Sequence, residues 1–248
     1  MKNSFLIWDL DSTLIPTNMY FEHAKQSFIT FIKKEYGWKA PNIEDIVNTL
    51  VETDTEQFLA NRKNPENALG KLAFHSAMLK AYDKLVDKFD LYEDGLIRLG
   101  VGDVGRGPNE SYVWKNYGMI DGAEETLQFC KNQGARMHLL TKGDFQVQKQ
   151  KIEHFGLCRY FDGETIVWNK TLEVFNGIYG NHPRENCYAI GDSTSDFTPC
   201  PEATGIHLPQ RLWKGQKEED KNNGGFQQKV YVLNSIKEIK ERAEEIFR

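Results

Sequence analysis

Four carboxylates stand out because of where they fall along the chain. Asp9 and Asp11 are two residues apart in Asp9-Leu10-Asp11-Ser12-Thr13, directly after the apolar run Phe5-Leu6-Ile7-Trp8. Asp192 and Asp196 belong to Gly191-Asp192-Ser193-Thr194-Ser195-Asp196, behind another apolar run, Cys187-Tyr188-Ala189-Ile190. Two acids leaving a buried strand together are costly unless a cation or a proton shares their site. In differing surroundings one of them can act as nucleophile while the other handles protons. Asp9 and Asp192 together make a hard, all-oxygen site, which suits Mg²⁺ held by one or two carboxylates, water and a substrate phosphate. Such an ion would offset the repulsion between a carboxylate nucleophile and a phosphate.

These residues need elements that bring them together. A third apolar run, Met137-His138-Leu139-Leu140, leads into Thr141. All three runs are short and continuous, the form of strands buried on both faces. Helical spacing lies between the later two, including Phe145 to Phe155 with Gly156 as a stop. Strands alternating with helices predict an α/β fold with a doubly wound, Rossmann-like parallel sheet. Ligands bind such sheets at the carboxyl edge, where Asp9, Thr141 and Asp192 would converge.

From about Asn18 to Tyr117 the apolar residues recur instead at three and four. Phe21, Ala24, Phe28 and Phe31 form one stripe that ends at Gly37. Ile43, Ile46, Val47 and Leu50 form a second behind Asn42 as N-cap, and Leu69, Leu72, Met78, Leu79, Leu85 and Phe89 continue after Pro65. This reads as a helical insertion, with Tyr20, Phe21, Phe28 and Phe31 in its core. Asp121 and Gly122 then open a helix through Leu127 and Phe129. A final helix is expected behind Ser235 as N-cap, with Glu238 three positions later and Ile236, Ile239, Ala243 and Ile246 on one face.

Two segments read as loops. Lys217 to Gly225 is hydrophilic and expected to be solvated and mobile. Gly100-Val101-Gly102-Asp103-Val104-Gly105 spells GxGxxG, but it follows a helical stretch and opens no evident helix. A dinucleotide site needs strand, glycine turn and helix in that order, so residues 100–107 are expected to be a flexible loop. Asp144 reads as a helix N-cap. The six histidines show no pair at metal spacing.

Composition narrows the classes further. With 248 residues, 31 basic against 36 acidic side chains and a net charge of −5, a mode of action through non-specific nucleic-acid binding is not expected. Four separated cysteines without a CxxC pair argue against a disulfide framework and for reduced thiols in a cytoplasmic setting. No apolar run reaches 18 residues, so neither a membrane span nor a signal peptide is expected.

The residues resemble the haloacid dehalogenase superfamily. Asp9, Asp11 and Thr13 match its DxDxT motif, Thr141 its strand-closing Thr or Ser, Lys170 its lysine, and Asp192 with Asp196 its GDxxxD. The long helical insertion resembles the family's cap. The resemblance implies a catalytic core of residues 1–16 and 117–248 with a helical cap domain over 17–116, whose opening would admit substrate and whose closure would exclude water. It implies a phosphatase in which Asp9 becomes an aspartyl phosphate and Asp11 acts as general acid and base. Thr141 and Lys170 would bind and neutralise the phosphoryl group, with Ser12 and Lys142 as further phosphate contacts. Mg²⁺ would be held by Asp9, the Asp11 backbone carbonyl and Asp192, with Asp196 orienting it. Lys142 follows Thr141 and could take the place of Lys170. Family members that cleave carbon–halogen bonds lack the second Asp, so Asp11 favours phosphoryl transfer. The expected substrate is a small phosphorylated metabolite. A phosphomutase acting on a sugar phosphate is the alternative enzyme, and a non-catalytic phosphate-binding regulatory protein the alternative outside enzymes.

Overall fold

In the computed structural model, which describes residues 1–63, 72–209 and 229–248, the run Phe5–Trp8 is a strand, β1, with all four side chains buried. The other strands are β2 (Arg136–Lys142), β3 (Gly163–Val167), β4 (Cys187–Gly191), β5 (Thr204–His207) and β6 (Val230–Val232). Between β1 and β2 come the helices α1 (Thr17–Tyr36), α2 (Ile43–Lys63), α3 (Ala73–Phe89), α4 (Gly95–Arg106), α5 (Ser111–Trp114) and α6 (Ala123–Asn132). Later helices are α7 (Phe145–His154), α8 (Leu172–Tyr179), α9 (Glu238–Glu241) and α10 (Ala243–Ile246). The chain divides into two compact units, Met1–Asn18 with Tyr117–Arg248, and Met19–Asn116.

The first unit holds a six-stranded sheet in the order β3-β2-β1-β4-β5-β6, parallel throughout. β1 is central, with Phe5 opposite Arg136 on one side and Cys187 on the other. Alternation along β1 supplies both layers of core. Leu6 and Trp8 pack with Met137, Leu139 and Ile190 against Leu127 of α6, Ile152 of α7 and Ile239 of α9. Phe5 and Ile7 pack with Leu140 and Ala189 against Phe175 and Tyr179 of α8. Each such burial contributes about 1.5–3 kcal/mol, which is why all four positions of a strand covered on both faces are large and apolar. This is the doubly wound, Rossmann-like α/β core expected from the strand pattern. Its order reverses between β1 and β4, and in sheets of this kind ligands bind at the carboxyl edge of that switch point. β2 runs on through Thr141 to Lys142, so Thr141 lies inside the strand and not just beyond it. β3 and β5 lack a continuous apolar run of the kind that marks β1, whereas β6 lies in one, Val230-Tyr231-Val232-Leu233; none of the three is among the strands read from the sequence.

The second unit is helical. Its core joins Phe28 and Ile32 of α1, Ile46 and Leu50 of α2, Met78, Tyr82 and Leu85 of α3, and Val101 of α4. Asn42 caps α2, its Oδ1 accepting from the Asp45 N–H at 2.8 Å. The buried face of α2 is narrower than its spacing suggests. Ile43 and Val47 are exposed, and Thr49, Thr53 and Gln57 take inner positions. Thr53 tolerates burial because its hydroxyl donates to the helix's own Thr49 and Leu50 carbonyls, both at 3.0 Å. Leu72 is also exposed, while Met78 and Leu85 are buried. Pro65, Leu69 and the hydrophilic run Lys217–Gly225 lie outside the described residues.

Two expectations are corrected here. The GxGxxG stretch is the interior of α4 and not a loop. Its glycines make helix contact possible: a methyl at Gly100 would lie 2.5 Å from Phe31 Cζ, and one at Gly105 2.8 Å from His75 Cα. Close packing and the Asp94 cap outweigh the poor helix propensity of glycine. The chain end is not one helix behind Ser235 but the two four-residue pieces α9 and α10. The Asn234 N–H donates to Glu238 Oε1, so the backward reach of Glu238 lands one residue earlier than a box on Ser235 requires. Ile236, Ile239 and Ile246 are nonetheless buried. Among the described residues, no helix is long and apolar enough to cross a membrane.

Candidate active site

Parallel pairing sets the carboxyl ends of β2, β1 and β4 side by side. Asp9, one residue past β1, is 6% exposed, and its N–H donates to the Ile190 carbonyl at 2.8 Å. Lys170, in the loop between β3 and α8, is also buried. Its ammonium donates to Asp9 Oδ1 at 2.5 Å and to Asp196 Oδ1 at 2.8 Å. Lys142 does not reach Asp9; its ammonium donates to Ser195 Oγ at 3.3 Å. The lysine beside Asp9 is therefore Lys170. Thr13 Oγ1 lies 3.4 Å from Asp9 Oδ2 and 3.5 Å from Asp192 Oδ1, between the two acids. Ser12 is buried with φ of 61°, and its Oγ accepts from the Asn18 N–H at 3.2 Å.

The GDxxxD segment folds over itself. Asp196 Oδ2 accepts from the Ser193 N–H at 3.0 Å while the Ser193 side chain accepts from the first turn, forming a capping box. A methyl at Gly191 would lie 2.2 Å from Asp196 Oδ2, so only glycine leaves room for that carboxylate. His207, at the end of β5, places Nε2 2.9 Å from the Asp192 carbonyl; a carbonyl only accepts, so the ring nitrogen donates.

Asp9, Asp192 and Asp196 each offer a carboxylate oxygen, all within 4.8 Å of one another. Lys170 serves two of them, and Asp192 makes no ion pair among the described residues. Burial first, then the charges of Asp9 and Asp196, push the Asp192 carboxyl up to about 8. Burial likewise pushes Asp9 up to about 7, against the lowering effect of Lys170. Three hard anionic donors with one ammonium among them fit a divalent cation such as Mg²⁺.

The Asp11 carboxylate stands outside that cluster, held by three side chains. Thr17 Oγ1 donates to Oδ1 at 2.5 Å, Lys151 Nζ to the same oxygen at 2.9 Å, and Gln148 Nε2 to Oδ2 at 2.5 Å. Burial alone would raise its carboxyl, but Lys151 and these hydrogen bonds outweigh it and hold Asp11 below the usual carboxylate range. Gln148 also donates to Thr141 Oγ1 at 2.8 Å and to the Lys142 carbonyl at 2.6 Å. Its own Oε1 is buried without a partner among the described residues, an arrangement that costs about 1–3 kcal/mol. Gln148 and Lys151 escaped the sequence reading. The available signal was their position on α7 beside Val147 and Ile152, which puts two polar side chains on the buried face of a helix. Asp144 caps α7 as expected, its Oδ1 accepting from the Gln146 and Val147 N–H groups at 3.0 and 3.1 Å.

No protein-family model and no curated protein sequence matches this chain. Solved structures do. A haloacid dehalogenase-like family hydrolase from Xanthomonas campestris superposes with a TM-score of 0.67 at 18% identity, covering 100% of this chain and 97% of that one. The chain has the haloacid dehalogenase-like fold. The HAD hydrolase YfnB of Bacillus subtilis, bound to magnesium, gives 0.60 at 13% identity, with 98% and 100% covered. A protein from Thermotoga maritima described as a β-phosphoglucomutase gives 0.58 at 17%, with 98% and 99% covered. Haloacid dehalogenase-like structures that are themselves dehalogenases also superpose. The fold thus spans halide and phosphoryl chemistry, and the choice falls to the residues at the sheet edge.

Proposed function

We propose that the chain is a Mg²⁺-dependent phosphatase that hydrolyses a small phosphate monoester through an aspartyl phosphate on Asp9. The observation that carries this reading is the second carboxylate, Asp11, beside Asp9 and hydrogen-bonded at both oxygens. A halide leaves without a proton; an alkoxide does not.

Asp9 attacks phosphorus as a carboxylate, and the bond from phosphorus to the ester oxygen breaks. Lys170 favours the ionised nucleophile, opposing the burial that drives its carboxyl up to about 7. A bound phosphate adds negative charge beside Asp11 and raises its proton affinity, so that it carries the proton the departing oxygen takes up. The resulting carboxylate then removes a proton from water as that water attacks phosphorus, which returns Asp9 and releases phosphate. The Thr141 hydroxyl, whose oxygen accepts from Gln148, keeps its own proton to donate to a phosphoryl oxygen. Ser12 and Lys142 lie at the same edge as further phosphate contacts. Asp9, Asp192 and Asp196 would hold Mg²⁺, which when bound offsets the repulsion between these acids and the substrate.

The test is hydrolysis of p-nitrophenyl phosphate with Mg²⁺, in the wild type and in Asp9→Asn. Phosphate release that disappears in the variant and in EDTA is expected. Activity that survives either treatment refutes the mechanism, and transfer of the phosphoryl group back to a sugar, without net phosphate release, would identify a mutase.

A further inference from the structure

We propose that Gln148 and Lys151 are positioning residues for the acid–base step: they hold the Asp11 carboxylate in one orientation, and Gln148 locks that orientation to the Thr141 hydroxyl. The proposal rests on the phosphatase reading.

Both side chains leave the buried face of α7 one turn apart, and they are 2% and 3% exposed. Lys151 takes Asp11 Oδ1 and Gln148 takes Oδ2, so the carboxylate is fixed at both oxygens. The Gln148 amide has two N–H groups for three oxygens, those of Asp11, Thr141 and the Lys142 backbone. The Asp11 carboxylate and the Lys142 carbonyl can only accept, so the amide nitrogen, not its oxygen, must face them. Asp11 follows β1 and Thr141 sits in β2, so this amide couples two groups from different strands. A group whose role was only to fill space beneath the sheet edge would not keep its own acceptor orphaned while supplying its donors to those two partners. Misplacing a reacting group by about 1 Å can cost on the order of a hundredfold in rate, so a brace of this kind has a kinetic signature.

The experiment compares kcat/KM for p-nitrophenyl phosphate and for phenyl phosphate, both with Mg²⁺, which reports events through formation of the aspartyl phosphate. p-Nitrophenolate is a stabilised anion that needs little protonation, whereas the more basic phenolate depends on the acid. Asp11→Asn sets the full loss of acid assistance. Gln148→Leu is expected to lower the phenyl to p-nitrophenyl ratio about tenfold; Lys151→Met, although it also removes a cation that disfavours the protonated acid, is expected to lower the ratio through misorientation of Asp11, with Lys151→Arg restoring most of it. A merely structural role would lower both substrates in proportion. An unchanged or raised ratio in Gln148→Leu and Lys151→Met, where Asp11→Asn lowers it, overturns the proposal and leaves the phosphatase reading intact. If Gln148→Leu does not fold, Lys151→Met decides alone. A wild type inactive on both esters removes the phosphatase reading and the proposal with it.

Discussion

Replacing Asp192 by Asn tests the electrostatics of the acidic cluster directly. In the metal-free protein burial, then Asp9 and Asp196, raise the Asp192 carboxyl to about 8, from an ordinary value of 3.8. Between those two values the folded chain holds a proton that the unfolded chain has released. Stability is therefore lost as pH rises through the window from about 4 to about 8. At about 1.4 kcal/mol per pH unit, the full span is on the order of 5 kcal/mol, and partial solvent access trims this to about 3–4 kcal/mol. Asn carries no charge and escapes the penalty. In EDTA at pH 9, Asp192→Asn should be more stable than the wild type by about 3 kcal/mol, or about 6–12 °C in Tm for a chain of this size. At pH 5 the two should agree within about 1 kcal/mol. Mg²⁺ at a hundred times its Kd should return about 2.7 kcal/mol to the wild type and little to the variant. The assay is thermal unfolding by circular dichroism at pH 5, 7 and 9, read as variant minus wild type so that unrelated titrations cancel. A difference of equal size at pH 5 and pH 9 would refute the reasoning.

Lys170→Met removes the cation shared by Asp9 and Asp196, and breaking a buried pair in this way costs about 3–5 kcal/mol. The loss should be larger at pH 8 than at pH 5, where the stranded carboxylates take up protons, and hydrolysis should fall at least about a hundredfold; urea unfolding at both pH values and a phosphate-release assay check the two parts. Gly105→Ala should destabilise by about 1–3 kcal/mol, because the new methyl meets His75 Cα at 2.8 Å. Gly95→Ala, with nothing within 4 Å, should be neutral or slightly stabilising, and equal effects in urea unfolding would show that helix propensity and not close contact governs α4. Asp144→Ala should cost about 1 kcal/mol in the same assay through loss of the α7 cap.

The elements that could be read from the sequence were those whose burial leaves a mark on it. β1 and β4 are covered on both faces and so are unbroken apolar runs, each followed at once by an acid. β3 is an edge strand of half-buried residues and β5 begins Thr204-Gly205, so neither carries that mark; β6, at the other edge, lies in an apolar run, Val230 to Leu233, but Asn234 and not an acid follows it. α4 reads as a loop because its four glycines disfavour a helix locally, whereas Phe31 and His75 demand three of them, Gly100, Gly102 and Gly105, only once the helices meet. The same limit applies at the site. Asp9, Asp192, Asp196 and Lys170 come together as the resemblance implied: Asp9 and Asp192 directly follow neighbouring parallel strands, and Lys170 and Asp196 lie in the loops a few residues beyond β3 and β4. Gln148 and Lys151 carry no motif, and on a helix their types suggest solvent. Their meaning appears only when β2 lies beside β1, since that pairing sets Thr141 and Asp11 within reach of one amide nitrogen. The sheet thus places the reacting carboxylates, while the helix that follows β2 controls how one of them is aimed.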